Sequence, residues 1–545
     1  MGMAKTLLAL ILCATAFAQP RASTPDLCVP PLSGTAPSLP AHFMTGQGTE
    51  YIHFAITTKS PEAQKFFDQG LAQLHSFWAT EAERSFLQAA ALDPDAPMPW
   101  WGVAMIAGGD YRPRHQIDQL SEAFGRDPRT QPSRTKDAAE RAIALSQVPG
   151  KATDLEKMYI ASIAARRIPS SKDPNDAYID GLRAILAKYP HEVEARLFLS
   201  LHLMRGYELP DRTPRAGTME AVEILRALLK EAPDHPGVHH YVIHAWEGSA
   251  FAKDAWPSCA RYAQLVPNIP HALHMPGHIY SQTGKFAEAE KAFGDAATNE
   301  LGYIKADSLY GTGHHGHNVH YLSTAYAFDG QYEKAIQYAR SLLEFKENPR
   351  ELAQVDSPST AYRQGWFALM RALVLAHAWD QILDGSSLPE YKRPRELAWR
   401  QWAMALAENG KGNIAAARDH EKQMEAMLKQ YEVEVKRKPP AELTVARQEL
   451  DGHILATEGK YKQAMSELAS ASTAQRKLRY SEPPYYPRPV AEGMGEIALH
   501  AGQLSDAESA FKLALTDLPG SSRSVKGLAE IQQKRDAKTS GAAAN

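Results

Sequence analysis

The segments HPGVHHYVIHAWE (235–247), HALHMPGHIYSQTGKFAEAEKAF (271–293) and HHGHNVHYLSTAYAFDGQYEKA (314–335) place eleven of the chain's 21 histidines within 86 positions. Their spacing is regular. His240 and His274 are 34 residues apart, as are His244 and His278, while His274 to His320 and His271 to His317 are both 46, one such period plus 12. A period of about 34 residues is that of a two-helix repeat whose units stack into a solenoid.

The same period extends in both directions. In 63–94, AQKFFDQGLAQLHSFWATEAERSFLQAAALDP, Gly70, Ala82, Phe86, Ala89 and Pro94 occupy the small, small, large, small and breaker positions of the tetratricopeptide pattern. Small residues let paired helices approach, the aromatic fills the gap between them, and proline ends the second helix. With Gly284 and Gly330 as turn glycines, Gly277, Ala289, Phe293 and Ala296 repeat the pattern, and Ala335 takes it up again after an insertion in TNELGYIKADSLYGTG (298–313). Two further units carry Gly452, Gly459 and Ala464, then Gly495, Gly502, Ala507, Phe511, Ala514 and Pro519. The expected fold is all-α, a right-handed tetratricopeptide-repeat (TPR) α-solenoid. Its expected parts are tetratricopeptide-like helices over 61–218, the histidine-rich repeats over 219–345 and further helices over 346–532. The pattern lapses over 106–152, where a degenerate helix pair around a Pro-rich loop is expected. An exposed loop is expected at 206–218, and a disordered tail over 533–545.

With 545 residues, a formal charge of −3 and 44% hydrophobic residues, the composition is that of a folded protein without the basic surplus of a nucleic-acid binder. After the N-terminus no apolar run reaches the length of a membrane span. Lys5, the apolar run Leu7–Ala14 and Ala16-Phe17-Ala18 read as a signal peptide over 1–18, so export to the periplasm or the cell exterior is expected. Residues 19–60, rich in Pro, Ser, Thr and Ala, are expected to form a flexible leader. Leu12 before Cys13 is too bulky for a lipoprotein signal. Removal of the signal leaves Cys28 and Cys259, whose pairing their positions leave open.

In a solenoid of this type the first helix of each repeat lines the concave surface. His240, His274 and His320 share one position of that helix, His244 and His278 a second, and His271 and His317 a third. All three positions lie on one helix face. Imidazole is a common ligand for Cu, Zn and Fe, and an i,i+4 pair aims two rings at one ion. His240, His244, His274, His278, His317 and His320 are therefore candidate metal ligands. Glu247, one turn beyond His244, is a candidate ligand, acid/base group or orienting partner. His271 and Trp101 are expected in the groove and Trp100 in the core; His235, His239, His314 and His315 are weaker candidates. Two other readings stand beside metal binding: a groove that holds a peptide, protein or anion through imidazole donors, and structural histidines copied by duplication. The sequence contains no HExxH, GxSxG, phosphate-binding glycine loop or paired CxxC.

The chain also resembles exported bacterial TPR proteins that carry the segments HPGxHHYxIHA, HMPxHIY and HNxH[YF]L and a Pro/Tyr-rich segment near the C-terminus. Here these are His235–Ala245, His274–Tyr280, His317–Leu322 and Glu482–Pro487. The resemblance covers residues 60 to 530. It implies the TPR fold and makes the histidine groove part of the family plan, but it brings no biochemical activity with it. The reading is an exported TPR protein with a transition-metal site on its concave face, a carrier or a metal-dependent enzyme, and as its alternative a TPR scaffold that binds a peptide or protein without metal. Arg488 and Glu492, beside the Pro/Tyr-rich segment, are expected to approach the groove from the far end of the superhelix.

Overall fold

The computed structural model describes residues 41–107, 132–170, 172–306, 312–346, 360–481 and 483–543. The signal segment, Cys13, Cys28 and most of the stretch where the pattern lapses lie outside them. Helices follow one another in antiparallel pairs: α1 (Pro61–His75) and α2 (Ala79–Leu92), α3 (Met98–Ile106) and α4 (Pro132–Ser146), α5 (Asp154–Arg167) and α6 (Pro174–Lys188), α7 (Val193–Leu203) and α8 (Thr218–Glu231). The histidine-rich part comprises α9 (Pro236–Trp246) with α10 (Trp256–Leu265), α11 (Pro270–Gln282) with α12 (Phe286–Ala306), and α13 (Gly313–Asp329) with α14 (Tyr332–Leu343). After these come α15 (Ala361–Leu375), the short α16 (Trp379–Leu383), α17 (Pro394–Gly410), α18 (Ile414–Val435), α19 (Ala441–Thr457), α20 (Tyr461–Arg476), α21 (Val490–His500), α22 (Leu504–Asp517) and α23 (Ser522–Ala543). The fold is an all-α solenoid. Its strands, among the described residues, are the two-residue ribbon Tyr207–Glu208 and Thr213–Pro214 in the loop between α7 and α8.

The repeat positions act as their residue types require. A Cβ on Gly277 would stand 2.4 Å from the Phe293 ring, and one on Gly495 would stand 2.7 Å from Phe511, so each glycine admits the aromatic of its partner helix. The turn inside a repeat closes on a left-handed residue followed by a backbone bond back to the first helix. Gly284 has φ 77° and Lys285 N–H donates to Tyr280 O at 2.8 Å. In the first repeat that position holds Phe77, at φ 53°, with Trp78 N–H donating to Gln73 O at 2.8 Å. A non-glycine residue is strained there and needs support from its surroundings.

Two boundary expectations are corrected, and the insertion takes on a structure of its own. Residues 41–60 are not a loose leader: Ile52, Phe54 and Ile56 are buried, Gly46 O accepts from Asn268 N–H at 2.8 Å, and Thr57 N–H donates to Glu156 Oε1 at 2.6 Å. Alternating apolar residues fasten this segment along the helices as an extended strap. The insertion is in part helix, since α12 runs on to Ala306 and buries Tyr303 against Trp78 and Gln47. The disordered tail is replaced by α23, which continues to Ala543 with Arg535 paired to Glu508 at 2.6 Å.

The superhelix closes on its own middle. One core runs from Ile52 to Tyr303 and a second from Ala339 to Val490. Leu518, near the C-terminus, packs with Phe286, Phe328 and Leu375, and Arg523 donates to Leu375 O at 2.5 Å. At the other end the α1–α2 turn lies on α9: His75 O accepts from His240 Nδ1 at 2.5 Å.

Candidate metal centre

Two triads of histidines form where α9, α11 and α13 lie side by side. His240, His244 and His271 make the first; His274, His278 and His317 make the second. Within each triad one ring nitrogen per residue lies within 4.8 Å of the other two. Each i,i+4 pair occupies one turn of one helix, and the third ring comes from the next first helix, as the repeat phase requires. His240 and His274 are 0% and 1% exposed, while His244 and His317 are half-buried.

Hydrogen bonds at Nδ1 set the direction of the rings. His240 Nδ1–H donates to His75 O, which leaves the lone pair on Nε2. His244 Nδ1 lies 3.1 Å from Glu247 Oε2, and His278 Nδ1 lies 2.7 Å from Glu247 Oε1. One carboxylate therefore orients one imidazole of each triad, the arrangement that fixes the tautomer of metal-binding histidines. The Nε2 atoms of His240 and His244 and both ring nitrogens of His271 are buried without a hydrogen-bond partner in the protein. Such an orphaned polar atom costs about 1–3 kcal/mol, and here the orphans converge. In the second triad His278 Nε2 lies 2.5 Å from His274 Nε2.

Burial holds the His240 and His271 imidazoles well below the usual histidine range, and neighbouring imidazoles add to the effect. They are neutral at pH 7, the form that ligates metal. Burial works to raise Glu247, but His278 and His244 overcome it and hold its carboxyl below the usual range. Both of its oxygens are turned to imidazoles.

Aromatic rings enclose the centre. The Phe77 ring lies 4.6, 5.5 and 5.7 Å from those of His240, His244 and His271. Tyr321 lies 5.0 Å from both His274 and His278 and 4.8 Å from His317. His314 stands between the triads, 6.0 Å from His271 and 6.1 Å from His274, with Nδ1 paired to Glu300.

Other sequence candidates lie elsewhere. His320 stands apart from the triads: its Nδ1 lies 2.6 Å from Gln364 Oε1, and its Nε2 accepts from Arg371 at 3.0 Å. Trp101 is buried among Phe67, Tyr159 and Phe198, so it belongs to the core, whereas Trp100 is half-buried under Arg141. His239 bonds Ser258 and Pro233 O, and His315 bonds Ala297 O. Of the C-terminal segment, Tyr480 reaches Glu247 with its hydroxyl at 3.5 Å, and Pro484 O accepts from Arg371 at 2.6 Å. Arg488 and Glu492 do not join the triads: Arg488 pairs with Glu449 and lies 3.2 Å from His453 Nε2, and Glu492 accepts from Ser521 and Ser524.

His75, outside the histidine-rich segment, is the residue sequence reasoning missed. It forms a third cluster with Glu194 and His235. That cluster satisfies itself. His235 Nδ1 accepts from Gly237 N–H at 3.1 Å, so its proton is on Nε2 and goes to Glu194 Oε1 at 3.0 Å; His75 reaches Glu194 Oε2 at 2.6 Å and the Tyr241 hydroxyl at 3.0 Å. No ring nitrogen remains for an ion, and the cluster serves to fix the His75 carbonyl that orients His240.

The family profile described as tetratricopeptide repeat matches residues 270–299. The human IFIT1 dimer with m7Gppp-AAAA is similar over 90% of this chain and 92% of its own, at 11% identity and a TM-score of 0.32. Yeast Tom70 is similar over 88% and 90%, at 8% identity and a TM-score of 0.25. The P58(IPK) TPR domain is similar over 87% and 99%, at 14% identity and a TM-score of 0.23. No curated protein sequence matches the chain. The match begins with α11, whose His271, His274 and His278 contribute to both triads, so the chain carries a tetratricopeptide repeat at the heart of the histidine centre, within a solenoid of such helix pairs.

Proposed function

We propose that this chain is an exported TPR protein that binds transition metal, of the copper, zinc or iron class, at the histidine triads, as a carrier or a metal-dependent enzyme. One observation carries the reading: the buried lone pairs of His240, His244 and His271 have no partner in the protein, while His240 and His244 are each held from behind at Nδ1. A histidine kept only for packing has no need of that arrangement, and the His75–Glu194–His235 cluster shows the satisfied form it would take. The signal-like N-terminus supports export.

Elemental analysis of the untagged protein tests this, beside a His240→Ala/His274→Ala variant and a His320→Ala control. Near-stoichiometric metal in the parent and the control, absent from a double variant with parental circular dichroism, is the expected result. A parent that stays metal-free after incubation with copper, zinc and iron salts and desalting would overturn the reading.

A second reading has its own observation. A cavity of about 1030 Å³ in the C-terminal half is lined by His377, Trp379, His453, Tyr461, Arg488 and His500. It is a place for a peptide or protein partner separate from the triads, where the chain's own residues occupy the groove.

A further inference from the structure

We infer that the two triads hold two copper ions, one in each, as a single coupled pair organised by Glu247. This deepens the metal-binding reading and rests on it. The triads share no residue, yet they are neighbours: His271 and His274 are on one helix with ring centres 6.3 Å apart, and His314 lies about equally far from both. Glu247 gives one oxygen to each triad. An ion in one triad draws charge from the same carboxylate that orients the other, so the two sites sense one another.

The donor set selects the metal. Six imidazoles are on offer, three in each triad, without thiolate or carboxylate among them. Magnesium, calcium and manganese call for oxygen, and non-haem iron sites include a carboxylate ligand. Imidazole suits copper and zinc. Charge then separates these two. The carboxylates touching the imidazoles are half-buried Glu247 and, through His314, buried Glu300, while buried Arg371 already adds a positive charge beside His320. Two zinc ions bring four positive charges into this enclosed space; two copper(I) ions bring two and accept three nitrogen ligands each. Unpaired buried charge is costly, so the singly charged ions are favoured.

The test is anaerobic titration of the full chain with copper(I) against a competing chelator, followed by oxidation with ferricyanide and electron paramagnetic resonance. The parent is expected to bind two coppers per chain and, once oxidised, to show a signal well below two spins. His271→Ala and His317→Ala are each expected to keep one copper and to show one full spin, which separates loss of a partner ion from loss of the fold. One copper in the parent, or two full spins, overturns the coupled pair and leaves a metal-binding protein. No binding of any metal overturns the broader reading as well.

Discussion

Glu247 and His278 are 31 residues apart in sequence, yet Oε1 of the first lies 2.7 Å from Nδ1 of the second, across the seam between two repeats. The other oxygen of the same carboxylate lies 3.1 Å from His244 Nδ1. Glu247→Gln keeps the shape but replaces one acceptor oxygen with a donor, so one imidazole must turn or lose its partner. Metal affinity is expected to fall about 10–100-fold, the usual effect of removing such a partner. Competition with a chromogenic chelator measures it; unchanged affinity would show that Glu247 has no part in orienting the rings.

Phe77 covers the first triad from the α1–α2 turn and takes a left-handed backbone to do so. Phe77→Ala leaves the strained backbone and removes the ring. Stability is expected to fall by about 3 kcal/mol, near the lower end for a buried phenylalanine, and bound metal should leave faster. Urea unfolding and stopped-flow transfer to a chelator give the two readouts.

Gly277→Ala tests the solenoid without touching a ligand. The added methyl meets the Phe293 ring at 2.4 Å, and that ring also lies 4.9 Å from His274. A cost of about 1–3 kcal/mol is expected from overpacking. Restoring space with Gly277→Ala/Phe293→Leu should recover part of the loss, as measured by thermal unfolding.

Acid should destabilise the metal-free protein. His320 takes up a proton near its ordinary value of 6.5 in the unfolded chain, whereas in the fold burial, with Arg371 beside it, pushes it down to about 3. Between these values the unfolded state binds the extra proton. Its contribution is therefore complete above pH 6.5 and is lost as pH falls toward 3, by up to about 1.4 kcal/mol per pH unit. His320→Gln retains hydrogen-bonding capacity and should flatten the dependence of unfolding free energy on pH in that window by about this amount.

The sequence by itself determined the repeat. Gly70 with Phe86 and Gly277 with Phe293 announce helix pairs because only a small residue facing a ring satisfies that spacing, and the contacts are local, within about twenty residues. The histidine phase is legible for the same reason: His240 and His244, and His274 and His278, must share a helix face. How the rings divide into two triads was not legible. The 34-residue column groups His320 with His240 and His274, but side chains pack by distance rather than by column; His317 reaches the second triad, and His320 turns to Gln364 and Arg371. His75 and Phe77 meet α9 across 165 and 163 positions, contacts that depend on how far the superhelix turns. That turn accumulates from small rotations at every repeat interface, so no local pattern encodes it. Tertiary structure alone therefore decided that the groove is filled by the chain's own turn, and that the histidines meet in two triads with their ring nitrogens facing one another.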